Sequence, residues 1–389
     1  MDTASETPTV MPTYARLPVA FERGAGAHLY TADGVEYLDA LCGLAVTGLG
    51  HAHPGVSAAL REQADTLLHT SNLYAIPQQQ RLADRLVALS GMDSVFFGNS
   101  GAEANEAAIK IARLYGTNRG VKNPSIIVME NAFHGRTMAT LTATGNRKVQ
   151  AGFEPLLKGF VRAPYGDIEA LRNIAGNDPE VVAVLVEPVQ GEGGIRIPPA
   201  DYLGELRALC DANDWLLMLD EVQTGNGRTG KFFAYEHTDV LPDVVATAKG
   251  LGNGVPIGAC LARGKAAEVL VPGTHGSTFG GNPLASAAAN AVLDALEGGL
   301  IDRAAELGER MLARFRDALK GNNRVADIRG AGLMLAIELT EPCGDIVTAA
   351  LEQHLLLNVT AGNVIRLLPP LVLSDEQADH IVDTVAGLI

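Results

Sequence analysis

The sequence predicts an α/β protein, a mostly parallel sheet flanked by helices, followed by a smaller α+β region. Three observations carry this. Six short apolar runs have the length of strands buried on both faces: Val95–Phe97, Ser125–Met129, Val181–Val186, Trp215–Leu219, Val244–Thr247 and Ile257–Leu261. Amphipathic stretches at Gly101–Tyr115, Ile168–Ile174 and Asp201–Asn213 lie between several of them, as crossover helices over a parallel sheet would. After about Pro283 the pattern changes to long helices mixed with a few strands. Functional groups are then expected at the carboxyl ends of the strands, where such a sheet opens its crevice.

In chain order, the polar start to about Pro18 reads as an arm, and Phe21 to Asp39 as a hairpin turning at Ala32-Asp33-Gly34. Helices are expected over Leu284–Leu296 and Ile301–Leu319. A strand pair around Leu333–Leu339, a helix near Ile346–His354 and a strand at Val364–Leu368 follow. The last helix begins at Ser374, where Gln377 completes a capping box. The 389 residues suit two or three domains of roughly 100–200 residues. We expect 1–53 to be an N-terminal arm and hairpin packing with the small domain, 54–283 the large domain, and 284–389 the small C-terminal one.

Composition narrows the function. With 47% hydrophobic and 19% charged residues the chain is not of disordered type. A net charge of −15 argues against nucleic-acid and anionic-membrane partners, while leaving room for a local cationic site. The longest uncharged apolar run, Val181–Val186, falls far short of the ~20 residues of a membrane span. The acidic, polar start MDTASETPTVMP does not read as a signal peptide. Cys42, Cys210, Cys260 and Cys343 lack CxxC spacing, so neither a disulfide frame nor a metal site is expected, and a cytoplasmic setting is. His51-Ala52-His53 has no further ligands at metal spacing and reads as a loop before Pro54.

Three constellations can carry chemistry. Gly98 to Glu106 (GNSGAEANE) follows a strand and opens a helix, with Ser100 and Glu103 spaced as a capping box. Small residues at a helix start suit a phosphate, or mark an ordinary strand-to-helix turn. Asp220-Glu221 ends an apolar strand; Asp220 either faces solvent or holds a cationic partner. Lys249 ends another and is followed by glycines. It is a surface lysine, or one whose neutral amine is favoured by apolar walls for Schiff-base chemistry. Gly225 to Gly230 (GNGRTG) satisfies GxGxxG, and GxxxxGK if extended to Lys231. Phe232 stands where a P-loop needs Ser or Thr, and no amphipathic helix follows for a dinucleotide site.

As a set, the segments Gly50–Pro54 (GHAHP), Asn99–Glu103 (NSGAE), Phe133–Thr137 (FHGRT), Glu187–Gly194 (EPVQGEGG), Asp220–Gly230, Ala248–Gly254 and Ser277–Pro283 (STFGGNP) resemble the class III, ornithine-aminotransferase-like pyridoxal-phosphate enzymes of fold type I. The resemblance runs from about Tyr14 to the C-terminus and implies a seven-stranded, mostly parallel sheet in the large domain. It implies that Lys249 links covalently to pyridoxal 5'-phosphate and later carries a proton between carbons. Asp220 pairs with the ring nitrogen. Gln223 bonds the ring hydroxyl, Val222 and Phe133 cover the two ring faces, and Ser100, Gly101 and Ala102 meet the phosphate. Thr278 reaches the phosphate from a second subunit, which implies a homodimer. Many relatives carry Thr where this chain has Ala102, so one hydroxyl to phosphate is missing.

For substrates, the resemblance implies that Arg136 clamps the α-carboxylate of an acylated ornithine, with Ser277 beside it. Arg366 would hold the α-carboxylate of 2-oxoglutarate and glutamate. Glu192, flanked by glycines, is the candidate to neutralise Arg366 while the acylated donor is bound, and then to swing aside. Leu44 aligns where ornithine δ-aminotransferases carry a tyrosine, which favours an acylated α-amine. The expected reaction is amino transfer from N²-acetylornithine to 2-oxoglutarate, in two half-reactions serving arginine biosynthesis. Rivals are succinylornithine or 4-aminobutyrate transamination, a nicotinamide-dependent oxidoreductase built on GxGxxG, and a non-catalytic cofactor binder.

Overall fold

The structure, a computed structural model, describes residues 9–389. The first eight residues of the expected N-terminal arm lie outside the described residues. A seven-stranded sheet forms the centre, in the order Ser94–Gly98, Gly258–Ala262, Val244–Thr247, Leu216–Asp220, Val181–Val186, Ser125–Met129, Phe160–Ala163. Only Gly258–Ala262 runs antiparallel to its neighbours. Val181–Val186, Leu216–Asp220 and Ser125–Met129 are buried at every position, as strands covered on both faces should be. The helix Gly101–Asn118 packs across several of these strands.

The strand Phe160–Ala163 is absent from the apolar runs. It lies at the sheet edge, carries Arg162 and is buried only at Ala163, so its sequence has no continuous apolar signal. The N-terminal hairpin holds three strands, Arg23–Ala25, His28–Tyr30 and Glu36–Asp39. Leu355-Leu356, from far along the chain, pairs with Leu38-Asp39 in parallel. An antiparallel sheet of Val325–Ala331, Met334–Leu339, Val364–Leu367 and Asn358–Thr360 forms the C-terminal half.

The run Pro283–Ala318 is long and apolar enough to span a membrane by length and composition, which the six-residue estimate overlooked. In the fold it is two helices, Pro283–Ala295 and Ile301–Ala318, interrupted at Gly299 with φ 103°. The first packs against Pro54–Thr66 and Pro77–Ser90, and the second against the final helix Asp375–Leu388. In that last helix the Ser374–Gln377 capping box is formed in both directions. One apolar cluster runs from Leu82 and Phe97 through Leu217 and Leu293 to Leu335 and Val385. All four cysteines are free and buried, and burial pushes the Cys210 and Cys260 thiols up to about 12.

Candidate active site

The carboxyl ends of the central strands meet at a cavity of about 480 Å³. Asp220 closes its strand opposite Ala246 of the next, so Lys249, three residues further, emerges beside it. Burial lowers the Lys249 ammonium pKa; Arg366 adds to this while Glu192, Asp220 and Glu187 oppose it. The neutral amine that carbonyl chemistry requires is therefore favoured.

Asp220 is 4% exposed and fully partnered on the protein side. Asn105 Nδ2 donates to Oδ2 at 2.8 Å, His134 Nδ1 lies 2.7 Å from the same oxygen, and the Val222 N–H donates to Oδ1 at 3.0 Å. Behind them Glu187 accepts the Phe133 N–H at 3.0 Å and the Gly191 N–H at 3.2 Å. Burial raises the Glu187 carboxyl pKa; His134 opposes that rise and Asp220 reinforces it. Asn105, His134 and Glu187 all line the cavity, yet the sequence reading gave them no role. Asn105 had a signal: it is a polar residue between Ala104 and Ala107 on a buried helix face, where an amide needs a partner.

At the opening of the helix Gly101–Asn118, a Cβ on Gly101 would lie 2.6 Å from Val222 Cγ1, so only glycine fits there. The first turn leaves backbone donors without helical partners, facing the cavity at Gly101 and Ala102. Ser100 caps this helix, accepting the Glu103 N–H at 3.2 Å and donating its hydroxyl to Glu103 at 3.1 Å. The expected box is shifted by one residue, because the Glu103 carboxylate takes the Asn99 N–H at 2.7 Å. With its hydroxyl so engaged, Ser100 is left with its backbone to offer a ligand.

Arg366 is completely buried and lies outside the cavity lining, whereas Glu192 and Gln223 are part of it. Arg366 Nη1 donates to Glu192 Oε1 at 2.5 Å and to Gln223 Oε1 at 3.4 Å, and Nε donates to Asn358 at 3.1 Å. Its Nη2 is buried without a partner among the described residues. Burial tends to raise the Glu192 carboxyl, but the charge and hydrogen bond of Arg366, with Lys249, hold it below the usual range.

The glycines beside Glu192 lie against the side-chain amides of two glutamines. A Cβ at Gly191 would lie 2.2 Å from Gln223 Oε1, and one at Gly193 2.8 Å from Gln190 Oε1. The main chain is pinned on both sides. Thr360 Oγ1 donates to the Glu192 carbonyl at 2.6 Å, and Arg329 donates to Gly194 and Ile195 at 2.5 and 2.7 Å. Any swing of Glu192 is thereby confined to its side chain.

Arg136 stands exposed at the rim with its guanidinium carbon 5.6 Å from the Phe133 ring centroid. No carboxylate lies within ion-pair distance of it among the described residues. Ser277 Oγ accepts the Gly280 N–H at 3.0 Å and the Asn99 amide at 3.4 Å within the protomer. Thr278 is exposed and lines no part of this cavity.

The GxGxxG segment is a staple. Arg228 donates to the Leu333 and Pro369 carbonyls at 3.0 and 2.5 Å, and Asn226 to Thr247 and Ala248 at 3.0 and 3.1 Å. Its glycines are packed against protein: a Cβ on Gly225 would lie 2.8 Å from the Glu221 carbonyl oxygen, and one on the facing Gly332 2.5 Å from Thr229. Among the described residues no group of three His, Cys, Asp or Glu is placed to hold a metal.

Known proteins are similar to this chain over nearly their whole length. The family model "Aminotransferase class-III" matches residues 9–389. The chain is 59% identical over 381 residues to the acetylornithine aminotransferase of Nitrosomonas europaea, covering 98% of this chain and 97% of that one. It is 48% identical to the enzyme so named from Methanothermobacter thermautotrophicus, over 98% and 96%. Among solved structures it superposes on the ornithine aminotransferase of Toxoplasma gondii with a TM-score of 0.94 at 37% identity, covering 98% and 92%. On the acetylornithine aminotransferase of Elizabethkingia anophelis the TM-score is 0.87 at 35% identity, over 97% and 95%. A family model spanning the described chain and relatives matched end to end leave one assignment: this chain belongs to the class-III aminotransferases.

Proposed function

We propose that this chain transfers the δ-amino group of N²-acetylornithine to 2-oxoglutarate, with pyridoxal 5'-phosphate as its cofactor and in a cytoplasmic setting. The observation that carries this is the contrast between the two arginines. Arg136 is open at the rim, while Arg366 is masked from the cavity by Glu192. An acylated ornithine brings one carboxylate and needs one open arginine. Glutamate and 2-oxoglutarate bring two and need the second, which Glu192 releases by turning away. Relatives at 48–59% identity named for acetylornithine support the same donor.

The residues fit pyridoxal phosphate. Backbone donors at Gly101 and Ala102 suit its phosphate, and Asp220, fixed by Asn105 and His134, suits a protonated ring nitrogen. Bound there, the cofactor supplies an electron-withdrawing ring conjugated to the reacting carbon. Lys249 would hold the cofactor through its amine and would move a proton at the substrate carbon. Phe133 and Val222 would cover the ring faces, and Gln223 would meet the ring hydroxyl. Arg136 orients the donor by its carboxylate, a task suited to a planar fork.

The active unit is a homodimer in which Thr278 of a second copy reaches the phosphate. Supporting this, Leu67, Leu68, Leu73, Tyr74 and Phe279 are exposed on one protomer. Asn72 ties their loop to Ser277 and Gly280, beside Thr278, at 3.1 Å each. Such a clustered apolar surface asks for a partner.

One assay tests the reading. Acetylornithine, succinylornithine, ornithine and 4-aminobutyrate are compared as donors to 2-oxoglutarate. The highest kcat/KM should fall to acetylornithine, and a higher value for any of the other three rejects it.

A further inference from the structure

A stretch of left-handed backbone stands beside the cavity wall. Cys42, Gly43, Leu44 and Ala45 have φ of 54°, 59°, 69° and 64°. Three of the four carry a Cβ, which this conformation crowds against the following carbonyl. Such a turn persists only where its surroundings hold it.

The restraint is Asp39. It is 2% exposed, and its Oδ1 accepts the Leu41 N–H at 2.9 Å and the Cys42 N–H at 2.8 Å. Its Oδ2 lies 2.8 Å from His51 Nε2. His51 is itself fixed, exchanging two backbone hydrogen bonds with Gly26 at 2.8 and 3.0 Å. Asn253, four residues beyond Lys249, accepts the Leu49 N–H at 2.8 Å and donates to the Gly50 carbonyl at 3.1 Å. At the end of the turn Ala45 packs with Val189, Ile195 and Val364, and just past it Val46 lines the cavity.

We infer that Asp39 and His51 are positioning residues for amino-donor recognition: they hold Cys42–Ala45 left-handed and so set Val46 against the aliphatic chain of the donor. Neither touches the cavity; both act through the turn. This gives His51 of the Gly50–Pro54 segment a task that needs no metal. The inference rests on the proposed reading, in which the acylated donor is longer than glutamate and leans on more of this wall.

The test uses the purified holoenzyme. His51→Ala and Asp39→Ala should each raise the KM for acetylornithine about tenfold. kcat/KM for glutamate should stay within about twofold, and the visible absorbance of the bound cofactor should not change. Asp39→Asn keeps the oxygen acceptor and should remain near wild type. Adding Ala45→Gly to Asp39→Ala removes a Cβ at positive φ and should recover several-fold of the loss. Where an alanine variant does not fold, Ala45→Pro forbids the turn without unpairing Asp39 and must give the same selective rise. Equal losses with both donors, a changed absorbance, or an unaltered KM would each overturn the inference. If wild-type protein prefers another donor, the functional reading fails instead, and the variants are then compared on that donor against glutamate.

Discussion

Glu192 Oε1 sits 2.5 Å from Arg366 Nη1, and of the two only Glu192 faces the cavity. An arginine buried that deeply would be costly beside a donor that offers it no carboxylate, and Glu192 removes that cost. Glu192→Ala should therefore slow the acetylornithine half-reaction more than tenfold while affecting glutamate much less. Single-turnover rates with each donor decide it, and equal losses would reject the switch. Because Thr360 and Arg329 hold the main chain, Thr360→Val should leave the ratio of the two rates nearly intact.

Lys249→Ala removes the amine at the centre of the cavity. The variant should bind pyridoxal phosphate through the helix start and Asp220, lose the absorbance of the lysine-linked cofactor, and lose nearly all turnover. Multiple turnovers at the normal rate without added amine would show that another group does this work.

Arg136→Lys retains the charge and removes the planar fork. A charge-assisted hydrogen bond contributes ~1.5–3 kcal/mol, so the acetylornithine half-reaction should weaken roughly ten- to a hundredfold. Stopped-flow measurement over a donor titration checks it; unchanged affinity and rate would place the carboxylate elsewhere.

Glu221 gives a prediction in pH. It is fully buried, accepts the Tyr235 N–H at 3.0 Å and bonds Thr224, and burial raises its carboxyl to about 7. The folded state thus keeps a proton that the unfolded chain releases near 4.5. Its contribution to stability is complete below that value and is lost as pH rises through about 7. Glu221→Gln preserves both hydrogen bonds without the ionisation. Denaturant unfolding should show similar stability at low pH and an advantage for the variant at pH 8 on the order of 3 kcal/mol. A variant no more stable at pH 8 would contradict the burial argument.

The central sheet and the two groups at its heart were legible because their signals are local. Asp220 and Lys249 each terminate a continuous apolar run, and such runs announce buried strands. The edge strand at Phe160 carried too little apolar sequence to stand out. Cys42–Ala45 has one glycine among four left-handed residues, so its backbone follows from Asp39 and tertiary packing. Arg366 and Glu192 are 174 positions apart, and no spacing rule joins them; the family resemblance did.

The burial of all four thiols makes the native chain a quiet background for labelling. Alkylating reagents attack accessible thiolate, and Cys210 and Cys260 are both hidden and protonated at neutral pH. A cysteine introduced at Ile197, 45% exposed and just past the Arg329-held carbonyls, would then be the site a maleimide dye meets first. With the main chain held there, fluorescence from that one position should stay constant as donor replaces acceptor, with no need to remove the protein's own sulfur.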